Sequence, residues 1–165
     1  MRSYDEDRSV YSGHYEVDIL IDRPVRDVWK NFLDIGSWVM NFDIEEVSNP
    51  KRVLGAITRV SPKNAEETGL SPPLYHYCKI IKLVPERHYL LKTYSEKGGS
   101  YGLQVIGFDD FRFIVKDGKT KVIFNIFAEM KGEAVVKDPE SVSLESSREG
   151  MAQNLNNLKR LVESH

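Results

Sequence analysis

Val17-Asp18-Ile19-Leu20-Ile21-Asp22-Arg23-Pro24-Val25-Arg26-Asp27-Val28-Trp29 is the stretch on which the reading of this chain turns. Tyr15, Val17, Ile19 and Ile21 fall on one face and Glu16, Asp18 and Asp22 on the other, broken only by Leu20. That is the period of two of a half-buried strand. Pro24 then fits the first turn of a helix, where its missing N–H costs nothing. Val25, Val28, Trp29 and Phe32 follow at helical spacing, with Asp27 placed to suit the helix dipole. Asp34-Ile35-Gly36-Ser37-Trp38 interrupts this helix, and a second short helical turn through Trp38, Val39 and Phe42 is expected.

At the other end, Leu144, Met151, Leu155, Leu158 and Val162 form an apolar stripe broken by Arg148, which predicts one long amphipathic helix needing a sheet face to cover it. Between the two ends lie strand signals at 53–60, 75–83, 89–94, 103–115 and 121–130. Lys116-Asp117-Gly118-Lys119 reads as a tight hairpin turn because Asp-Gly tolerates positive φ. Pro85 marks another turn, and the proline-rich stretch 61–73 reads as a long loop. Strands joined by short turns make an antiparallel meander and not a βαβ alternation. Residues 1–13 are expected to be a flexible tail, and 14–165 a single domain.

The chain has 165 residues, 41% of them hydrophobic and 29% charged, with a formal net charge of -2, so no basic field argues for nucleic acid. The single cysteine, Cys78, forms no internal disulfide and sits among strand formers as a small hydrophobe. The charged N-terminus lacks the apolar core of a leader, and no apolar run is long enough to span a bilayer. A cytoplasmic protein without stable membrane insertion is expected, with a homodimer left open.

These segments resemble the START-like helix-grip superfamily (SRPBCC), which holds polyketide cyclase/dehydrase and lipid-transport-like proteins. Residues 21–29 carry the resemblance at the strand–helix junction. Residues 34–38 carry it at the bend between the short helices, and Glu149, Gly150, Met151, Leu155, Leu158, Lys159 and Glu163 in the closing helix. The resemblance implies an α+β helix-grip fold: about seven strands in a curved antiparallel sheet wrapped around the long C-terminal helix, two short helices after the first strand, and a tunnel between. It implies binding of lipids, polyketides or isoprenoids, or cyclase and dehydratase chemistry. It specifies no substrate.

The middle strands are rich in aromatic residues, which serve ordinary core packing as readily as a pocket wall. Read as a pocket, Tyr75, Tyr77, Tyr94, Phe108, Phe124 and Phe127 line an apolar cavity capped by Trp38 and by Met151 and Leu155 of the last helix. Asn125 interrupts an apolar strand and is a candidate polar anchor, though parity alone leaves its face open. Asn154 and Asn157 flank the helical stripe; Asn154 is kept as a ligand contact, whereas Asn157 reads as solvent-facing decoration.

Three ionisable residues are candidates for proton transfer. His76 could act as general acid or base between two tyrosines, although a lone strand histidine more often faces solvent. Asp109 and Asp110, beside Arg112, are either catalytic carboxylates or a bulge with a surface ion pair. No histidine has a partner at ligand spacing, so neither metal nor cofactor is expected. Binding of a small hydrophobic or aromatic molecule is the leading reading. A cyclase/dehydratase-type enzyme using the same cavity is the alternative, and a protein-interaction module the third.

Overall fold

The structure is a computed structural model that describes residues 3–4, 10–48, 51–63, 76–95, 103–132 and 144–164. A two-residue strand β1 (Ser3–Tyr4) precedes β2 (Val10–Ile21), helix α1 (Val25–Phe32) and a single 3-10 turn (Ile35–Ser37). Then follow β3 (Phe42–Glu46), β4 (Ile57–Pro62), β5 (His76–Val84), β6 (His88–Ser95), β7 (Leu103–Lys116), β8 (Lys119–Gly132) and helix α2 (Leu144–Glu163). All eight strands form one curved sheet in the order β1-β2-β8-β7-β6-β5-β4-β3, antiparallel throughout. Seven of them are substantial, and the expected helix-grip arrangement is the one observed.

Local chemistry explains each element. Helix α1 buries Val28, Trp29 and Phe32 on one face and exposes Arg26 and Lys30 on the other. Pro24 stands just ahead of it, its carbonyl accepting from the N–H groups of Asp27 and Val28. The hairpin between β7 and β8 turns on Asp117 (φ 52°) and Gly118 (φ 75°), two successive left-handed residues that match strand twist. Helix α2 packs on β2 and α1, and buries Leu144, Leu155, Leu158 and Val162.

Four expectations change. The strand predicted from His14 begins at Val10, and Ser3–Tyr4 pairs with it, so the sheet extends into the stretch read as a tail. The helical turn expected to run on through Phe42 stops at Ser37. Phe42-Asp43-Ile44-Glu45-Glu46 alternates inward and outward and pairs with β4 instead. Pairing of β7 runs unbroken through Asp109 and Asp110, so no bulge lies there; the irregularity falls between Ile80 and Lys82 of β5. Strand β4 covers Ile57–Pro62, where a strand was expected at 53–60 and a loop at 61–73, so Ser61 and Pro62 pair in the sheet; the rest of that loop from 64, and Tyr75, lie outside the described residues.

Small residues let the sheet close on the helix. Along one row of the concave face the ladder partners are Thr58, Cys78, Thr93, Gly107, Ala128 and Gly13. A Cβ at Gly107 would stand 2.4 Å from the Phe127 carbonyl oxygen, a backbone atom that cannot move aside cheaply. One end of the concavity is solid: Trp29, Phe32, Tyr89, Phe111 and Phe113 meet edge to face at centroid distances between 4.9 and 6.3 Å. The other end stays open.

Candidate functional site

A cavity lies under β3–β7, between the sheet, the segment 35–39 and Met151 of α2. It leaves about 110 Å³ for the centres of water-sized atoms. A single water needs only ~10–15 Å³ on that measure, so a small organic molecule is the natural scale of occupant. Its walls are apolar where Trp38, Val39, Ile44, Val60, Ile80 and Leu91 face it. Polar side chains reach it at a few points: Thr58, His76, Cys78, Asp109, Tyr89 and the pair Glu46 and Arg52.

The walls are held rigidly. Trp38 stacks on Phe32 at 5.5 Å, and its indole N–H donates to the Phe32 carbonyl at 3.0 Å. Asn154, 2% exposed, accepts from the Met40 backbone N–H at 3.1 Å and donates to Asn41 Oδ1 at 2.7 Å. Asn157 donates to the Trp38 carbonyl at 3.2 Å. The two helix asparagines therefore brace the wall. Asn154 spends its side chain on this tether, and Asn157 is not the decoration its position suggested. At the start of α2, the Tyr11 hydroxyl accepts from the free Leu144 N–H at 3.3 Å. Nearby, Tyr15 accepts from the Ser147 hydroxyl at 2.9 Å and donates to the Ser147 carbonyl.

Asp109 and His76 both face the cavity, which accounts for the accessible surface that each keeps at depth. Neither has a hydrogen-bonding or ion-pair partner among the described residues; His76 meets only the edge of the Phe42 ring at 6.1 Å. Burial alone raises the Asp109 carboxyl from 3.8 to about 7. Burial alone lowers the His76 imidazole from 6.5 to about 4, so it is neutral at physiological pH. Burial also raises the Cys78 thiol to about 12, where it is a poor nucleophile, and it rests against Thr93 Oγ1 at 3.7 Å.

The sequence-derived candidates divide by parity. Trp38, Met151, His76 and Asp109 line the cavity. Phe124 and Leu155 are buried in the solid core outside the cavity wall. Tyr77 and Tyr94 stack on each other at 5.6 Å on the convex face. Phe108 and Phe127 are there too, 41% and 54% exposed, and Phe127 stacks on His14 at 5.4 Å. Asn125 pairs in register with Asp110 on that outer face, so it is no anchor in the cavity. The cause is the period of two: Asp109, Phe111 and Phe113 of β7 point inward, which turns Phe108, Asp110 and Arg112 outward. Asp110 binds His88 Nε2 at 2.7 Å and approaches Arg112 at 3.4 Å, an outer-face cluster.

Among the described residues no three metal-ligating side chains converge, and no helix is long and apolar enough to cross a membrane. Of the polar residues at the cavity, sequence reasoning missed Glu46, Arg52, Thr58, Cys78 and Tyr89. The alternation at 42–46 was the available signal for Glu46, while nothing in the local pattern marks Arg52.

No family model matches the chain, and no curated protein does. Solved structures match over nearly its whole length. The aromatase/cyclase ZhuI from Streptomyces sp. R1128 superimposes with a TM-score of 0.69 at 12% identity, covering 92% of this chain and 94% of that one. Norcoclaurine synthase from Thalictrum flavum, in complex with dopamine and hydroxybenzaldehyde, gives 0.62 at 14% identity, covering 95% and 90%. Ara h 8.0201 gives 0.60 at 15% identity, covering 93% and 99%. At these identities the likeness speaks for the fold alone: the chain has the α+β helix-grip fold expected from its sequence.

Proposed function

We propose that the protein binds a small apolar molecule, of lipid, polyketide or isoprenoid type, in the cavity between β3–β7 and α2. The observation that carries this reading is the cavity itself: apolar walls, braced by Asn154 and Asn157, beside the packed aromatic cluster of Trp29, Phe32, Phe111 and Phe113. Removing apolar ligand surface from water supplies roughly 25 cal/mol per Å², before the ordering costs of association. Trp38 and Met151 contribute wall area. Extraction of the purified protein with organic solvent, followed by mass spectrometry, tests the reading. A stoichiometric apolar molecule supports it; protein that carries none and takes up no small aromatic probe contradicts it.

A second reading, acid–base catalysis on the bound molecule, is favoured by one observation: Asp109 and His76 enter the same cavity without partners among the described residues. A carboxyl titrating near 7 can give or take a proton at physiological pH, and a neutral imidazole can accept one. The names of two structural neighbours, an aromatase/cyclase and a synthase, agree with chemistry in such a cavity. Here Asp109→Asn should leave binding intact and abolish turnover of whatever molecule extraction identifies; unchanged turnover excludes Asp109 as the acid or base.

A further inference from the structure

Glu46, Arg52 and Tyr89 face the same cavity, and neither reading above uses them. Tyr89 is fully buried, yet its hydroxyl has no well-formed hydrogen bond among the described residues. Glu46 and Arg52 form an ion pair, their side chains only 19% and 20% exposed, and Glu46 Oε2 is buried without a partner among the described residues. The three groups converge. Arg52 and Glu46 both lie close enough to act on the Tyr89 hydroxyl electrostatically, and the Arg52 guanidinium is within reach to donate to its oxygen, which leaves the Tyr89 O–H free to donate to a bound molecule. Arg52 also holds a left-handed backbone (φ 55°), uncommon for a residue with a side chain and a conformation that clusters at functional sites. Its loop is fastened to β5 by the Gly55 N–H donating to the Ile80 carbonyl at 2.8 Å.

Buried polar atoms without partners are rare and need an explanation. We propose that Tyr89, Glu46 and Arg52 form a polar subsite that recognises a neutral hydroxyl, phenolic or alcoholic, on the molecule bound in the cavity. This rests on the cavity being a ligand site. The donor–acceptor pattern selects the group. A ligand hydroxyl can accept from the Tyr89 O–H and donate to Glu46 Oε2, which fills both vacancies at once. A carbonyl would leave Glu46 Oε2 unpaired. A carboxylate meets a guanidinium already paired, with Glu46 and Asp109 both facing the same space. An ammonium would sit against Arg52.

Isothermal titration calorimetry with 2-naphthol, naphthalene, 2-naphthoate and 2-naphthylmethylamine tests the subsite. The native protein should bind 2-naphthol about tenfold more tightly than naphthalene, and both charged probes more weakly than 2-naphthol. Tyr89→Phe should cut the hydroxyl preference to about threefold or less while leaving the naphthalene Kd unchanged. Glu46→Gln should weaken 2-naphthol binding in the same selective way. Equal affinities for 2-naphthol and naphthalene in the native protein, or a preference that survives Tyr89→Phe, overturn the subsite and leave the cavity reading standing. Failure of all four probes to bind overturns both.

Discussion

Asp109 on β7 and His76 on β5 look into one cavity, and burial there moves their proton affinities in opposite directions, to about 7 and about 4. Desolvation disfavours the charged form of each, and the charged form is the deprotonated one for a carboxyl and the protonated one for an imidazole.

This opposition makes the two residues pull against each other in stability. Asp109 holds its proton more tightly when folded, so its contribution is full below about 3.8 and is lost as pH rises to about 7. His76 is harder to protonate when folded, so its contribution is full above 6.5 and is lost as pH falls to about 4. Each is on the order of 3–4 kcal/mol across its window. In urea unfolding between pH 4 and 6.5, the two slopes should largely cancel in the native protein. Asp109→Asn should unmask His76, giving stability that rises with pH, and should exceed the native protein above pH 7. A native profile as steep as the variant's would show that Asp109 is not desolvated.

Gly107→Ala should be costly. The added Cβ meets the Phe127 carbonyl oxygen at 2.4 Å, so the β7–β8 ladder must shift where the sheet bends. A loss of about 2 kcal/mol or more in denaturant unfolding is expected. Gly36→Ala, where nothing lies within 4 Å, is the matched control and should be nearly neutral.

The grip on the last helix depends on Tyr15. Tyr15→Phe removes the bonds to the Ser147 hydroxyl and carbonyl while keeping the ring on Phe124. It should cost about 1 kcal/mol and accelerate amide exchange in the first turns of α2 relative to its C-terminal end. Uniform exchange along the helix would contradict this anchoring.

Asn154→Ala should cost about 1–3 kcal/mol, because the Met40 N–H loses its acceptor at a part-buried contact and Asn41 loses its donor. The same change should weaken binding of a cavity probe by loosening the segment that carries Trp38. If binding is unaffected while stability falls, Asn154 supports the core and not the wall.

Sequence pattern reached most of the fold, for a physical reason. The alternation at 15–21, the helical spacing of Val25, Val28, Trp29 and Phe32, and the stripe on α2 are each decided within a dozen residues. The site was less legible. Both parities of β7 and β8 carry apolar residues, so nothing local says whether Phe108 or Asp109 points inward. That choice is made by the ladder across neighbouring strands, where Leu91 pairs with Asp109 and Ile126 completes the rung. Arg52 reaches the cavity only through a left-handed loop conformation, which its type does not advertise. The aromatic residues that drew notice, Phe108 and Phe127, are on the convex side, so Phe108→Ser should leave binding in the cavity unchanged.

The most direct test of a ligand cavity is a proton–nitrogen NMR titration of the protein with naphthalene. Saturable shifts should concentrate at the Trp38 indole N–H and at the amides of Thr58, Val60, Cys78 and Met151. Shifts confined to the convex residues around Phe108 and Phe127, or none at the solubility limit of the probe, would contradict the account.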